Sequence, residues 1–169
     1  MALVLNTNSY VTTTEADTYF ATRIDADEWS TANDALKEQA LVTATQLIDN
    51  RPWIGLAVSS SQALAWPRKQ AIFFDPRMGQ DITIAENETP KQVKIAVYEQ
   101  ALHLLQNEDL IAQKTQTFES ISVGSISLSD SNSDVGKTSI TPSIVLKPLR
   151  PLIRKGSAGG TGGSWWRAN

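Results

Sequence analysis

Two stretches of this chain repeat apolar residues every three or four positions, and each is fenced by residues that start or stop a helix. In the first, Leu36, Ala40, Ala44, Leu47 and Ile48 recur through Asp49, with Ser30 or Thr31 placed to cap and Pro52 to stop it. In the second, Thr89-Pro90 offers a hydroxyl cap followed by proline at the first helical position. Val93, Val97, Ala101, Leu104 and Leu105 then form one stripe, which Ile95, Ala96 and Leu102 widen until the pattern ends near Asn107. A stripe that broad predicts a helix buried on two sides. A shorter helix precedes both. Ser9-Tyr10-Val11-Thr12-Thr13-Thr14-Glu15-Ala16-Asp17 reads as an extended lead-in and a threonine-capped start, with Ala16, Tyr19 and Phe20 on one face. Asp25 to Ser30 is expected to break it, with Trp29 sealing the junction. The pattern therefore predicts a mainly α chain, a small bundle of helices at 14–22, 32–50 and 90–107.

The segments between and after these helices are irregular. Residues 62–66 permit a short helical turn before Pro67, and Ile72-Phe73-Phe74-Asp75-Pro76-Arg77 reads as a short apolar segment ending in a turn. From Phe118 to Leu128, Ile121, Val123, Ile126 and Leu128 alternate with small polar residues around Gly124, a β-hairpin signal. Residues 129–139 read as an exposed loop. Thr141-Pro142 repeats the capped start, but Pro148 and Pro151 limit the following helix to about two turns. Gly156 to Ser164 is glycine-rich and leads to Trp165-Trp166-Arg167. The expected organisation is a helical core over 1–112, a hairpin and loop over 113–140, and a short helix with an extended glycine-rich tail over 141–169.

At 169 residues the chain suits one modest core. With no cysteine, disulfides, thiolate metal sites and cysteine nucleophiles are excluded. Apolar runs fall far short of the roughly 18 residues a membrane span requires, and residues 1–10 show no signal-peptide pattern. A soluble, cytoplasmically made protein without membrane contact is expected. The net charge of −3 hides an asymmetry. Residues 1–50 carry a net −6, whereas Lys147, Arg150, Arg154, Lys155 and Arg167 give residues 140–169 a net +5. Such a split suits contacts between copies, or a basic tail reaching an acidic partner.

Catalytic chemistry is thin. His103 is the single histidine and lies mid-helix, which leaves no metal pair and no triad. The pairs Asp25/Asp27 and Glu86/Glu88 lack the glycine and twelfth-position glutamate of a calcium loop. Val135-Gly136-Lys137-Thr138 echoes a phosphate loop, but Ser131 stands where its first glycine belongs. No enzyme activity and no cofactor are expected. Binding is the better reading. A glycine run ending in Trp165 and Trp166 presents an aromatic anchor. Arg150, Arg154, Lys155 and Arg167 with the two indoles also supply the cations and stacking faces of single-strand binding. Trp29, Trp53 and Trp66 are expected to be structural, pinning loops onto the bundle, because burying such a ring is worth about 2–3 kcal/mol.

Ser9-Tyr10-Val11-Thr12, Glu15-Ala16-Asp17, Tyr19-Phe20, Trp29, Leu47-Ile48-Asp49, Trp53-Ile54-Gly55 and above all Ala63-Leu64-Ala65-Trp66-Pro67-Arg68 stand in an order that resembles tailed-bacteriophage head–tail adaptor (connector) proteins. Sequences of that kind are also labelled DnaT-like single-stranded DNA-binding. The resemblance spans roughly residues 9–155. It implies a structural virion protein at the neck: a homo-oligomeric ring of about a dozen copies between the portal protein and a tail or nozzle protein, extending a channel for genomic double-stranded DNA. On that reading residues 140–169 order on the portal, with Arg150, Arg154, Lys155, Trp165, Trp166 and Arg167 as contacts. The alternative is a DnaT-like single-stranded DNA-binding module.

Overall fold

A computed structural model describes residues 2–107 and 140–154, together with the backbone of 122–123 and 126–127. Its described part is mainly helical: α1 (Thr13–Phe20), α2 (Asp27–Thr31), α3 (Asp34–Asp49), α4 (Lys91–Gln106) and α5 (Ser143–Leu149), the last continuing into a 3-10 turn, Arg150–Leu152. Three two-stranded antiparallel sheets accompany them: β1 (Leu56–Ala57) with β2 (Arg68–Lys69), β3 (Ile72–Asp75) with β4 (Gln80–Thr83), and β5 (Ser122–Val123) with β6 (Ile126–Ser127). Among the described residues no helix is long and apolar enough to cross a membrane.

Local chemistry explains where each helix begins. The extended Thr12 accepts from the Glu15 amide through Oγ1 at 3.2 Å, and Glu15 Oε2 accepts from the Thr12 amide at 2.9 Å. This reciprocal capping box satisfies two amides that the first turn leaves unpaired. After α1, Asp25 adopts a left-handed φ of 63° and the chain turns. The expected break at Asp25–Ser30 is in fact a turn followed by the short helix α2. Trp29 of α2 is buried against Phe20, ring centroids 4.8 Å apart, and its Nε1 donates to Asp17 Oδ1 at 2.8 Å. Lys37 reaches the same carboxylate oxygen at 2.9 Å and lies over the Trp29 ring. The cap of α3 is Asn33, whose side chain accepts from the Leu36 amide at 2.9 Å, rather than Ser30 or Thr31. Leu36 stands 42% exposed, too near that end to reach the core, whereas Ala40, Leu41, Ala44 and Ile48 are buried.

Helix α4 is the centre of the bundle. It starts after Pro90, so Pro90 occupies the cap position and the Thr89 hydroxyl is not used as the expected cap. Residues 96–102 are all buried, and α4 packs against α2, α3 and α5, in agreement with its wide apolar stripe. The buried Glu99 in its middle carries a charge that must be neutralised. Arg23 pairs with it, and the Tyr19 hydroxyl donates to Oε1 at 2.5 Å.

Residues 140–154 belong to this core. Val145, Leu149 and Leu152 are fully buried. The segment is also stitched to the loop after α3: the Ile54 amide donates to the Leu152 carbonyl at 3.0 Å and the Arg154 amide to the Pro52 carbonyl at 2.7 Å. The expectation that residues 140–169 order only on a partner is thus corrected for the described part, because its leucines complete the bundle. Two further differences lie between α3 and α4. Residues 62–66 form a turn with Gln62 Nε2 donating to the Leu64 carbonyl at 2.6 Å, not a helix. The segment after Ile72 is the first strand of a hairpin closed by Gly79 at a φ of 66°, where the amides of Met78 and Gly79 both donate to the Asp75 carbonyl.

Two carboxylates near α1 make stability pH-dependent. Burial alone would raise the Glu15 carboxyl, but bonds from Lys94 and from the Thr12 backbone outweigh it and hold the carboxyl below its ordinary value. Asp17 is likewise lowered, burial being outweighed by Lys37 and Trp29. A carboxyl depressed in the folded state contributes stability that is present above its unfolded pKa, 4.5 for Glu15, and lost as pH falls through the folded value. The side chains are 38% and 50% exposed, so solvent screening keeps the joint contribution to about 1 kcal/mol. The double variant E15Q/D17N is expected to lose about 2–4 °C less in Tm than the parent when pH drops from 7 to 3. Parallel melting curves for the two proteins check this.

Candidate nucleic-acid interface

The C-terminal end of α3 opens onto a cleft of about 490 Å³, lined by Asp49, Arg51, Trp53, Gly55, Arg68 and Arg154 among others. Its walls come from three separate stretches of chain, 49–56, 65–68 and Arg154. Gly55 makes the tight part possible. It has a φ of 71°, and a Cβ there would come within 2.6 Å of the Lys69 carbonyl, so the loop lies flush against β2 because the residue is glycine.

The cations of the cleft divide by their commitments. Arg68 is a structural clamp: Nε donates to the Ile54 carbonyl at 2.7 Å, Nη2 to Gly55 at 2.8 Å and Nη1 to Ala65 at 3.2 Å. Burial holds its guanidinium below the ordinary value, and the charge of Arg154 pushes the same way. An arginine so lowered still keeps its proton at neutral pH, so Arg68 contributes positive field with three of its five N–H donors already committed. Arg51 is only partly committed. Its Nη2 donates to Thr141 Oγ1 at 3.1 Å, while its buried Nε has no protein acceptor. Arg154 is anchored through its backbone, and its side chain is exposed.

The single acid of this wall is turned inward. Asp49 Oδ1 accepts from the Tyr10 hydroxyl and from the Ala65 amide at 2.8 Å, and the Trp66 amide donates to the Tyr10 oxygen at 3.1 Å. Burial, then the bond to Asp49, raises the Tyr10 hydroxyl far above its ordinary range, so it stays a neutral donor. Trp53, at the cleft wall, and Trp66 are both buried with ring centroids 5.8 Å apart, and Trp53 Nε1 donates to the Asp49 carbonyl at 2.9 Å. The cleft thus presents three arginines against one occupied carboxylate.

Of the residues expected to bind a partner, Arg154 lines this cleft and Arg150 is exposed on the 3-10 turn. Lys155, Trp165, Trp166 and Arg167 lie outside the described residues, as does the phosphate-loop echo at 135–138. Trp29, Trp53 and Trp66 are all buried. Arg51 and Arg68 escaped the sequence reading as site residues, because nothing in their neighbourhoods signals that they meet Arg154 in space. Among the described residues no cluster of three or more His, Asp or Glu side chains forms a metal site. His103 is half-buried on α4, where Asn107 Nδ2 donates to its carbonyl at 2.9 Å.

Fold and cleft together define a small, mainly helical domain with an arginine-lined cleft. The chain belongs to the family described as "Putative DnaT-like ssDNA binding protein", whose model matches residues 2–168. That description names a binding protein and no reaction. No curated protein and no solved structure matches the chain.

The family match overturns the head–tail adaptor reading, with its portal and tail partners, its dozen-copy ring and its channel for duplex DNA. The physical reason lies in the residues that carried the resemblance. Leu64 and Trp66 are core, Arg68 clamps backbone carbonyls, and the buried Tyr10 is hydrogen-bonded to the half-buried Asp49. Residues used for packing report how a chain folds, and a fold hosts more than one function.

Proposed function

We propose that this protein binds single-stranded DNA through its sugar–phosphate backbone, using the arginine-lined cleft. The observation that carries this reading is the family match along nearly the whole chain. The cleft supports it chemically. Arg154, and the terminal guanidinium N–H groups that Arg51 does not give to Thr141, supply donors for phosphate oxygens, Arg68 adds fixed positive field, and Oδ1 of the competing carboxylate is held by Tyr10 and Ala65. Lys155 and Arg167 follow Arg154 in sequence and add cations, and Trp165 and Trp166 add faces on which unpaired bases stack.

The number of cations sets the strength of binding. With about three or four phosphates neutralised, log Kobs should fall with log salt at a slope of about −2 to −3 for a single strand. Between about 50 and 200 mM salt the affinity then drops about 20- to 50-fold. So few contacts on an acidic chain predict micromolar rather than nanomolar affinity. Fluorescence anisotropy of a labelled oligonucleotide measures both quantities. The expected result is salt-sensitive binding of the single strand, weaker binding of the matching duplex, and loss of affinity on replacing Arg154, Lys155 and Trp166. A flat signal at low salt would remove the reading.

A further inference from the structure

Asp49 is an acid in an unfavourable place. It is the last residue of α3, where a carboxylate meets the negative end of the helix dipole. It also lines the cleft, the single acid beside Arg51, Arg68 and Arg154. Neither position helps the helix or an incoming anion, so its placement needs another account. Its charge is felt across the cleft: burial lowers the Arg68 guanidinium, and the charge of Asp49 is among those that push it back up. An unrestrained carboxylate at this point would pair with a guanidinium and compete with phosphate for it.

The carboxylate is restrained from outside the helix. Tyr10, 1% exposed and just ahead of α1, donates its hydroxyl proton to Asp49 Oδ1, and the Ala65 amide donates to the same oxygen at 2.8 Å. The Tyr10 oxygen in turn accepts from the Trp66 amide at 3.1 Å. The hydroxyl thus gives its one proton and receives another, and burial leaves no water to replace either bond. Burial first, then the bond to Asp49, raises this hydroxyl well above its ordinary range, so it remains a donor at neutral pH. The Trp53 indole holds the backbone of the same residue, donating to its carbonyl at 2.9 Å.

We infer that Tyr10 is a positioning residue of the cleft: by holding the Asp49 carboxylate on its hydroxyl it keeps Arg51 and Arg154 available to phosphate, and so sets how tightly the cleft takes an anion. Tyr10 itself touches no ligand. This rests on the single-strand reading above and names the residue that tunes that site. If the Tyr10–Asp49 bond only joined the N-terminal segment to the bundle, its loss would change stability with no separate effect on binding. The charge of Asp49 divides the two cases, because a packing role does not need it. Asparagine presents the same Oδ1 acceptor to Tyr10 and Ala65 without the charge.

The test follows fluorescence anisotropy of a labelled oligo-dT with the full chain at low salt, for the wild type, Tyr10→Phe, Asp49→Asn and the double variant. Tyr10→Phe is expected to weaken binding about 2- to 5-fold, the worth of one partly solvated ion pair formed in place of a phosphate contact. It should also reduce the magnitude of the salt slope by about 0.7, the share of one phosphate. Asp49→Asn should tighten binding by about 2- to 5-fold. In the Asp49→Asn background, adding Tyr10→Phe should alter affinity by less than about 1.5-fold, because no charge remains to be released. Circular dichroism verifies that each variant folds. An equal loss from Tyr10→Phe in both backgrounds makes its role purely structural and overturns the inference. Unchanged or weaker binding by Asp49→Asn overturns it too, and this arm decides alone if Tyr10→Phe does not fold. A wild type that binds no strand at low salt removes the single-strand reading and this inference together, whereas a binding wild type with a neutral Asp49→Asn removes the inference alone.

Discussion

Replacing Leu149 and Leu152 together with alanine is expected to lower Tm by about 10–15 °C. Both side chains are fully buried, one at the end of α5 and the other in the turn after it. A buried leucine truncated to alanine costs about 2–5 kcal/mol, through lost transfer energy and the cavity left behind. Even the low end doubled, about 4 kcal/mol, is a large share of the 5–15 kcal/mol that holds a typical domain together. The two sites are close enough to couple, so the sum is a guide and not a prediction of strict additivity. At about 2–4 °C per kcal/mol for a chain of this size, the stated shift follows. Thermal melts followed by circular dichroism check it. A shift under about 3 °C would mean that residues 140–154 lie outside the cooperative unit, as a partner-docking tail would. The expected large shift makes them part of it, and hence makes the position of Arg154 a property of the fold.

The second large effect concerns binding. The double variant R51A/R154A is expected to weaken single-stranded DNA binding about 10- to 100-fold at low salt, each lost charge-assisted contact being worth about 1.5 kcal/mol or less on a partly solvated surface. It should also reduce the magnitude of the salt slope by about 1.4, the share of two phosphates. The slope is the sharper readout. A variant that merely perturbed the fold would lower affinity without this specific loss of salt dependence. Arg68 is unsuited to the same experiment, because its three bonds to carbonyls make R68A a stability variant first. Lys91 provides the control: it is exposed in the first turn of α4, outside the cleft, and K91A should leave affinity within about twofold.

How much of this was legible in the sequence depended on distance along the chain. Helices α3 and α4 were readable because their apolar residues repeat within a few turns, a local signal. Their starting residues were less so. Ser30, Thr31 and Asn33 are all competent caps, and the turn after α2 selects Asn33. The hairpin at β3–β4 was hidden because Gln80-Asp81-Ile82-Thr83 has a single strongly apolar residue, and its pairing is set by the turn at Gly79. The hairpin signal near Gly124 was stronger, and strands stand at 122–123 and 126–127. The cleft was not legible at all. Arg51, Arg68 and Arg154 meet only because the chain between them folds, and net charge per segment drew attention to the last of the three alone. The family resemblance misled for a related reason: the motif around Trp66 is specific for packing, and packing residues carry no mark of the partner.

The most direct test of the account is a ¹⁵N–¹H correlation spectrum of the full chain titrated with an unlabelled single-stranded oligonucleotide at low salt. The expected result is progressive shifts centred on the cleft, at Arg51, Trp53, Gly55, Arg68 and Arg154, and reversed by added salt. Shifts centred instead on the acidic surface of α1 and α2, or a spectrum unchanged at saturating oligonucleotide, would contradict it.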